Sequence, residues 1–326
     1  MLLISILFFW FIPQLTSAIA LRDWKPLTRS SPDVVELKKL ERKQIFWKEL
    51  CALAPERTNH SSPSIASSTE ILILIPIKSQ KSHRRKEIRE SWANSKVSEA
   101  IRLNLVRVLF LITDDKDTRY QIGKEIQKYG DLLVVGGVDS YKNLIYKEMR
   151  AYKWVNRYYH SVAVVKADDD VVMEVDRLHD KVRKLDMKKK FAAGWVWSNL
   201  KPKRDPQHRW YISYSAYPAA RISHIDGPFY LLSPPALSAI IQKVPDMEVF
   251  EVEDAFFTGA VAQAVSVQLI TLEGATKKQP GTQTCENGEP TIIVYPIHGL
   301  KDGEMQKKYN EMKAIKCKGL WASIFG

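Results

Sequence analysis

Short unbroken apolar runs alternate with amphipathic ones from Glu70 onward. The runs "ILILIPI" (71–77), "RVLFLIT" (107–113), "DLLVVGG" (131–137) and "SVAVVKA" (161–167) are each long enough for a buried strand and too short for a buried helix. Between them, "SHRRKEIRESWAN", "DTRYQIGKEIQKYG" and "NLIYKEMRAYKWVNRYY" have helical character. Strand and helix in alternation predict βα units and an α/β fold, a mostly parallel central sheet flanked by helices. No internal repeat or heptad array is visible, which argues against a solenoid or a coiled coil.

The texture ahead of this region differs. Residues 1–21 open with "MLLISILFFWFIPQLTSAIA", an almost wholly apolar leader for the secretory pathway. Roughly 20 apolar residues can span a bilayer, while the closing "SAIA" resembles a small-residue cleavage site, so both a signal-anchor and a cleaved signal peptide stay open. Arg22, Lys25 and Arg29 follow the leader rather than precede it, which does not help a cytoplasm-facing N-terminus. Ser31 and Pro32 then start a charged helix, and the Ser- and Pro-rich "APERTNHSSPSIASSTE" follows, so residues 22–69 read as a stem and linker and 70–326 as the catalytic domain.

Composition refines this picture. A chain of 326 residues with 45% hydrophobic content has ample material for one large or two ordinary domains. Its 49 Lys and Arg exceed 37 Asp and Glu, for a net charge of +12, but the basic residues are spread along the chain in runs such as "KLERK", "HRRK" and "MKKK". That spread fits a solvated surface with a minority serving an anionic ligand, and no nucleic-acid partner is expected. Of Cys51, Cys285 and Cys317, the last two are the preferred disulfide pair because both lie in the C-terminal segment. There is no CxxC, which disfavours a zinc site, and Asn59-His60-Ser61 is a glycosylation sequon.

The densest negative charge, Asp168, Asp169 and Asp170, ends the fourth apolar run. In open α/β sheets the ligand crevice lies outside the carboxyl ends of the strands. If extended geometry persists, Asp168 and Asp170 point one way and Asp169 the other, so the pair would suit a hard divalent cation and Asp169 structural hydrogen bonds. Three adjacent carboxylates repel one another unless a cation or several donors compensate. The plainer alternative is a solvated acidic loop.

Five ordered motifs between Ile71 and Tyr309 resemble the inverting β-1,3-glycosyltransferases of the secretory pathway, which include β-1,3-galactosyltransferases, β-1,3-N-acetylglucosaminyltransferases and, more distantly, fringe. "RRKEIRESW" (84–92) is similar to the family's first motif through Arg85, Ile88, Arg89, Ser91 and Trp92. "YGDLLVVGGVDSYKNLIYKEMRAYKWV" keeps Asp139, Ser140, Tyr141, Asn143, Leu144 and Lys147 of the second. "KADDDVVM" resembles KxDDDVF, and "VEDAFFTG" resembles EDVYVG. "YPAARISHIDGPFYLLS" matches the remaining one at Tyr217, Pro218, Gly227, Tyr230 and Ser233. Departures are a short insertion between Pro218 and Gly227, "FLIT" (110–113) in place of FxxG, and Ala255 in place of Val. None removes a carboxylate, so activity is expected to survive them, whereas acceptor choice need not.

The resemblance implies a GT-A-like nucleotide-sugar-binding fold. It also implies metal-dependent transfer of a hexose, galactose or N-acetylglucosamine, from a UDP-sugar to a glycan hydroxyl on protein or lipid, with inversion and a β-1,3 linkage. Asp170 becomes the Mn2+ or Mg2+ ligand and His298, in "YPIHGLKDGEM", a further one; manganese tolerates such mixed N/O ligation better than magnesium. Asp168, with Asp169 beside it, falls on the nucleotide side, where Asp168 would hold the ribose or a metal-bound water. Asp254 becomes the general base, although its local sequence alone equally suits a helix N-terminus favoured by acidic residues. Arg85 and Arg89 would meet donor phosphate or, equally, form salt bridges beneath the site. Trp195, Trp197, Trp210 and Tyr214 offer faces for sugars, and Lys147 and Lys166 support roles. The implied setting is the Golgi membrane, single-pass type II with a luminal catalytic domain, or secretion or the ER or Golgi lumen if the leader is cleaved. The competing functions are an inactive descendant that binds glycans or assists a partner, and a basic polyanion binder.

Overall fold

Continuous apolar strands need cover on both faces, and the first four strands receive it. A computed structural model describes residues 63–113, 117–135, 140, 143–275, 285, 286, 289–315 and 317. The leader, most of the stem with Cys51 and Asn59, and the motif residues Asp139 and Tyr141 lie outside them. Strands β1 (Ile71–Pro76), β2 (Val106–Thr113), β3 (Leu132–Val135) and β4 (Ala163–Ala167) are mutually parallel, in the order β3-β2-β1-β4. Helices α1 (Ser82–Glu90), α2 (Glu99–Arg102), α3 (Arg119–Tyr129) and α4 (Leu144–Tyr158) link them. Side chains alternate along β1: Leu72 and Leu74 join one core with α4, and Ile71, Ile73 and Ile75 join the other with Ile88 and Trp92. The C-terminus of α3 is set by Gly130, whose left-handed φ of 61° is the conformation glycine adopts most readily.

The sheet continues in a mixed sense. Strand β5 (Val171–Met173) follows β4 and leads through α5 (Val175–Val182) to β6 (Phe191–Leu200), β7 (Ile222–Leu232) and α6 (Pro234–Lys243). Strand β7 is antiparallel to β4 and β6, and β8 (Gln268–Thr271) is parallel to β6, completing the order β3-β2-β1-β4-β7-β6-β8. A π-helix, Ala255–Val261, packs on β7. Beyond β8, β9 (Cys285–Glu286) pairs with β10 (Glu289–Pro290), and β11 (Val294–Pro296) with β5, before α7 (Met305–Lys313). A disulfide joins Cys285 to Cys317. No helix among the described residues is long and apolar enough to cross a membrane.

Candidate active site

The three aspartates form a turn, and the turn separates them. Strand β4 ends at Ala167, Asp168 N–H donates to Pro228 O (2.9 Å), and Val171 N–H closes back on Asp168 O (3.3 Å) before β5 begins. The expected extended alternation therefore gives way to three different environments. Asp168 Oδ1 accepts from Lys166 Nζ at 2.6 Å, and Asp169 Oδ2 pairs with Lys81 Nζ, also at 2.6 Å. Asp170 Oδ1 is buried and meets no hydrogen-bond donor among the described residues.

His298 comes to Asp170 through β11. Ile297 N–H donates to Asp170 O (2.9 Å), which seats the following histidine beside the turn, and His298 is solvent-exposed. Burial, then Asp168 and Asp169, push the Asp170 carboxyl up to about 6, with His298 and Lys166 opposing. A buried carboxylate oxygen without a donor, next to an exposed imidazole, is a donor set that a divalent cation fits. Among the described residues no group of three His, Cys, Asp or Glu side chains converges to hold a metal. Asp170 and His298 are the two side chains there that could hold such an ion.

Asp254 stands at the start of the π-helix, where its Oδ1 accepts Ala255 N–H at 2.7 Å. Thr258 Oγ1 donates to Asp254 O (2.7 Å) and accepts from Ile225 N–H (2.9 Å), which fastens this turn to β7. Gly227 lies directly against the carboxyl group, because a Cβ there would sit 2.9 Å from Asp254 Oδ2. Any larger residue would displace Asp254. Its other oxygen, Oδ2, lies 3.7 Å from His224 Nδ1. That Nδ1 lies 3.0 Å from Ile225 O, which can only accept, so it carries the ring proton. Burial, then Glu253, raise the Asp254 carboxyl to about 6, against His224, the Ala255 amide and Lys166.

Arg85 and Arg89 are placed beneath the site. Arg85 is 1% exposed, with Nε and Nη2 on Glu125 (2.9 and 2.6 Å) and its remaining bonds to Lys78 O and Ser79 O. Arg89 makes a bidentate pair with Asp131 (2.7 and 2.8 Å) and reaches Glu125 at 2.7 Å. The geometry favours the salt-bridging expectation over the phosphate-binding one: every guanidinium nitrogen of Arg85 is paired inside the protein, and Arg89 is held by Asp131 and Glu125. Removing one partner of a buried pair strands the other charge, so Arg85→Ala is expected to lower stability by about 3–5 kcal/mol. Denaturant unfolding checks this. Asp169, likewise expected on the nucleotide side, is bound to Lys81.

Of the aromatic candidates, Trp210 and Tyr214 are 50% and 67% exposed in the β6–β7 connection, whereas Trp195 and Trp197 are half-buried. Trp197 Nε1 donates to Asp226 Oδ1 at 2.9 Å, one residue before Gly227. Lys147 is buried with its Nζ on Ile77 O (2.7 Å), supporting the end of β1. Sequence reading did not single out Lys81 or His224. The only available signals were a cation just after β1 and a histidine inside the insertion between Pro218 and Gly227.

The Galactosyltransferase family profile matches residues 83–273, more than half the chain. The chain belongs to this family. It is a glycosyltransferase, a hexosyltransferase of the β-1,3-galactosyltransferase-like kind. It is 25% identical over 213 residues to beta-1,3-galactosyltransferase 5 of Homo sapiens, covering 65% of this chain and 68% of that one. Against beta-1,3-galactosyltransferase 1 of Mus musculus it is 24% identical over 252 residues, 76% of this chain and 74% of the relative. Among solved structures it resembles the galactosyltransferase LgtC in complex with donor and acceptor sugar analogues, with TM-score 0.39, 8% identity, and coverage of 77% of this chain and 99% of that chain. It also resembles the mannosyltransferase PcManGT from Pyrobaculum calidifontis in complex with GDP-Man and Mn2+, with TM-score 0.38, 12% identity, and coverage of 87% and 74%. These two likenesses are too loose to bear on donor, metal or linkage.

Proposed function

We propose that the chain transfers galactose or N-acetylglucosamine from a UDP-sugar to a glycan hydroxyl on protein or lipid, with inversion and formation of a β-1,3 linkage, using a divalent cation held by Asp170 and His298. The observation that carries this reading is the donorless, buried Asp170 Oδ1 beside His298 at the carboxyl end of a parallel strand. A two-residue protein share leaves other positions for diphosphate oxygens and water, as Mg2+ and Mn2+ sites on nucleotides require. When bound, the ion supplies Lewis-acid stabilisation of the charge on the departing diphosphate.

The chain's own groups do the rest. Asp254 Oδ2 takes the proton of the acceptor hydroxyl as its oxygen bonds to the anomeric carbon. The bond from that carbon to the diphosphate oxygen breaks with its electron pair leaving on UDP. One displacement inverts the centre and requires no protein nucleophile. Asp168, held by Lys166, would hold the ribose or a water on the ion.

For the setting, the apolar leader and the Cys285–Cys317 disulfide support an oxidising lumen of the secretory pathway, with the Golgi membrane as the proposed site.

The test is a transfer assay with a panel of UDP-sugars, Mn2+ or Mg2+, and glycan acceptors, with linkage analysis of the product. A β-1,3 product that disappears on metal chelation is expected, and absence of transfer and of donor hydrolysis from every UDP-sugar would overturn the reading. The pH profile adds a second constraint. Asp254 must be unprotonated to accept a proton, and its pKa is about 6, so kcat/KM should fall on the acid side of that value. A profile flat down to pH 4 would contradict the assignment.

A further inference from the structure

Behind Asp168 and Asp254, four segments bring together buried side chains that take no part in the bond-making steps above. Strand β4 supplies Lys166 (1% exposed), α4 supplies Glu148 and Tyr152 (both 0%), β7 supplies Tyr230 (0%), and the turn before the π-helix supplies Glu253 (6%). Tyr230 Oη is 2.6 Å from Glu253 Oε1, 2.6 Å from Tyr152 Oη and 3.1 Å from Glu148 Oε2. Tyr152 Oη also lies 3.4 Å from that oxygen. Two phenols have two protons for these four contacts, and a proton on Glu148 would serve a third. Burial, then Glu253, push the Glu148 carboxyl well above its ordinary value, in the same direction.

Lys166 joins this cluster to the site. Its Nζ donates to Asp168 Oδ1 at 2.6 Å and to Gly227 O at 2.5 Å, and lies 3.7 Å from Glu253 Oε2 and 3.9 Å from Glu148 Oε1. Burial works against its charge, but Asp168, Glu253 and Glu148 together hold its pKa well above the usual lysine value. Gly227 is the residue packed against the Asp254 carboxyl. One ammonium therefore touches both the donor-side aspartate and the strand that backs the base.

We propose that Lys166 is a positioning residue that fixes Asp168 and the Gly227–Asp254 contact to one point, and so sets the donor and the acceptor base relative to each other. This rests on the roles of Asp168 and Asp254 proposed above. The titratable groups facing Lys166 are Asp168, Glu148 and Glu253; those facing Asp254 are Glu253, His224 and Lys166. Because Lys166 favours ionised Asp254, loss of its charge should move the acid limb of kcat/KM to higher pH.

The experiment measures UDP binding by calorimetry, and kcat and the pH profile of transfer, for full-length wild type, Lys166→Met, Lys166→Arg and Glu148→Gln. Lys166→Met is expected to lower kcat by about 10–100-fold, the loss typical of a small misplacement of reacting groups, and to raise the acid limb. Lys166→Arg keeps the cation, so its acid limb should stay in place while kcat still falls, because a planar fork cannot hold both Asp168 and Gly227 O as the ammonium does. It also carries the test if the methionine variant does not fold. Glu148→Gln mimics a neutral acid and should leave the limb unmoved. Wild-type kcat in Lys166→Arg, or wild-type kcat with an unmoved limb in folded Lys166→Met, overturns the proposal. Failure of wild type itself to bind UDP or transfer a sugar would instead refute the functional reading on which it rests.

Discussion

Asp254→Asn is expected to lower kcat by about 10²–10⁴-fold, the usual contribution of a positioned general base, while metal-dependent UDP binding stays at the wild-type level. The amide keeps the shape that packs on Gly227, and its oxygen can still accept the Ala255 amide proton, so the π-helix start should persist. Only the capacity to accept the acceptor's proton is lost. Steady-state kinetics beside calorimetry of UDP separates the two quantities. Retained turnover would remove Asp254 from the chemistry and return it to the helix-terminal role that its local sequence also suits.

Asp170→Asn is expected to act at an earlier step. The amide is a weaker cation ligand than a carboxylate, and the departing diphosphate would lose stabilisation of several kcal/mol, which corresponds to a loss of about 10²–10³-fold or more in turnover. UDP affinity should fall to the value measured for wild type with the metal chelated, and added metal should no longer raise it. The same substitution removes a buried carboxylate whose pKa is raised to about 6. Such a group favours the fold below its unfolded pKa, and that contribution is lost as pH rises through about 6. Without metal, Asp170→Asn should therefore be at least as stable as wild type at pH 8. Unchanged metal dependence in this variant would exclude Asp170 as a ligand.

The sequence made the first half of the fold legible because buried parallel strands read as unbroken apolar runs. The runs at 71–77, 107–113, 131–137 and 161–167 correspond to β1 to β4 within a few residues, and the three helical stretches correspond to α1, α3 and α4. Strands β6 and β7 escaped notice. "FAAGWVWSNL" and "ISHIDGPFYLL" contain Gly, Asp and Pro, and their pairing shifts register between Gly194 and Val196 and again between Trp197 and Leu200, so no clean period survives. That antiparallel pair makes the sheet mixed and brings Gly227 to Asp254.

At the site, residue types were legible and their partners were not. Asp168, Asp170 and Asp254 stand out as carboxylates in motifs, but the turn that disperses the triplet depends on Pro228 and Ile297, far along the chain. Arg85 and Arg89 looked like phosphate ligands because Glu125 and Asp131 arrive from the α3 region some forty residues later. Lys166 has the same character: the sequence suggests a supporting residue, and only packing shows that it joins Asp168 to Gly227.

The central claim is a metal-dependent UDP-sugar site built on Asp170 and His298. Its most direct test is thermal unfolding of the wild-type protein with a panel of UDP-sugars, each with Mn2+ and with chelator. A ligand present at 100 times its Kd stabilises by about 2.7 kcal/mol, which for a domain of this size raises Tm by roughly 5–10 °C. Such a rise is expected for UDP-galactose or UDP-N-acetylglucosamine only when the metal is present, and is expected to be absent in Asp170→Asn. A rise of the same size in chelator, or none with any UDP-sugar at saturating metal, would contradict the claim.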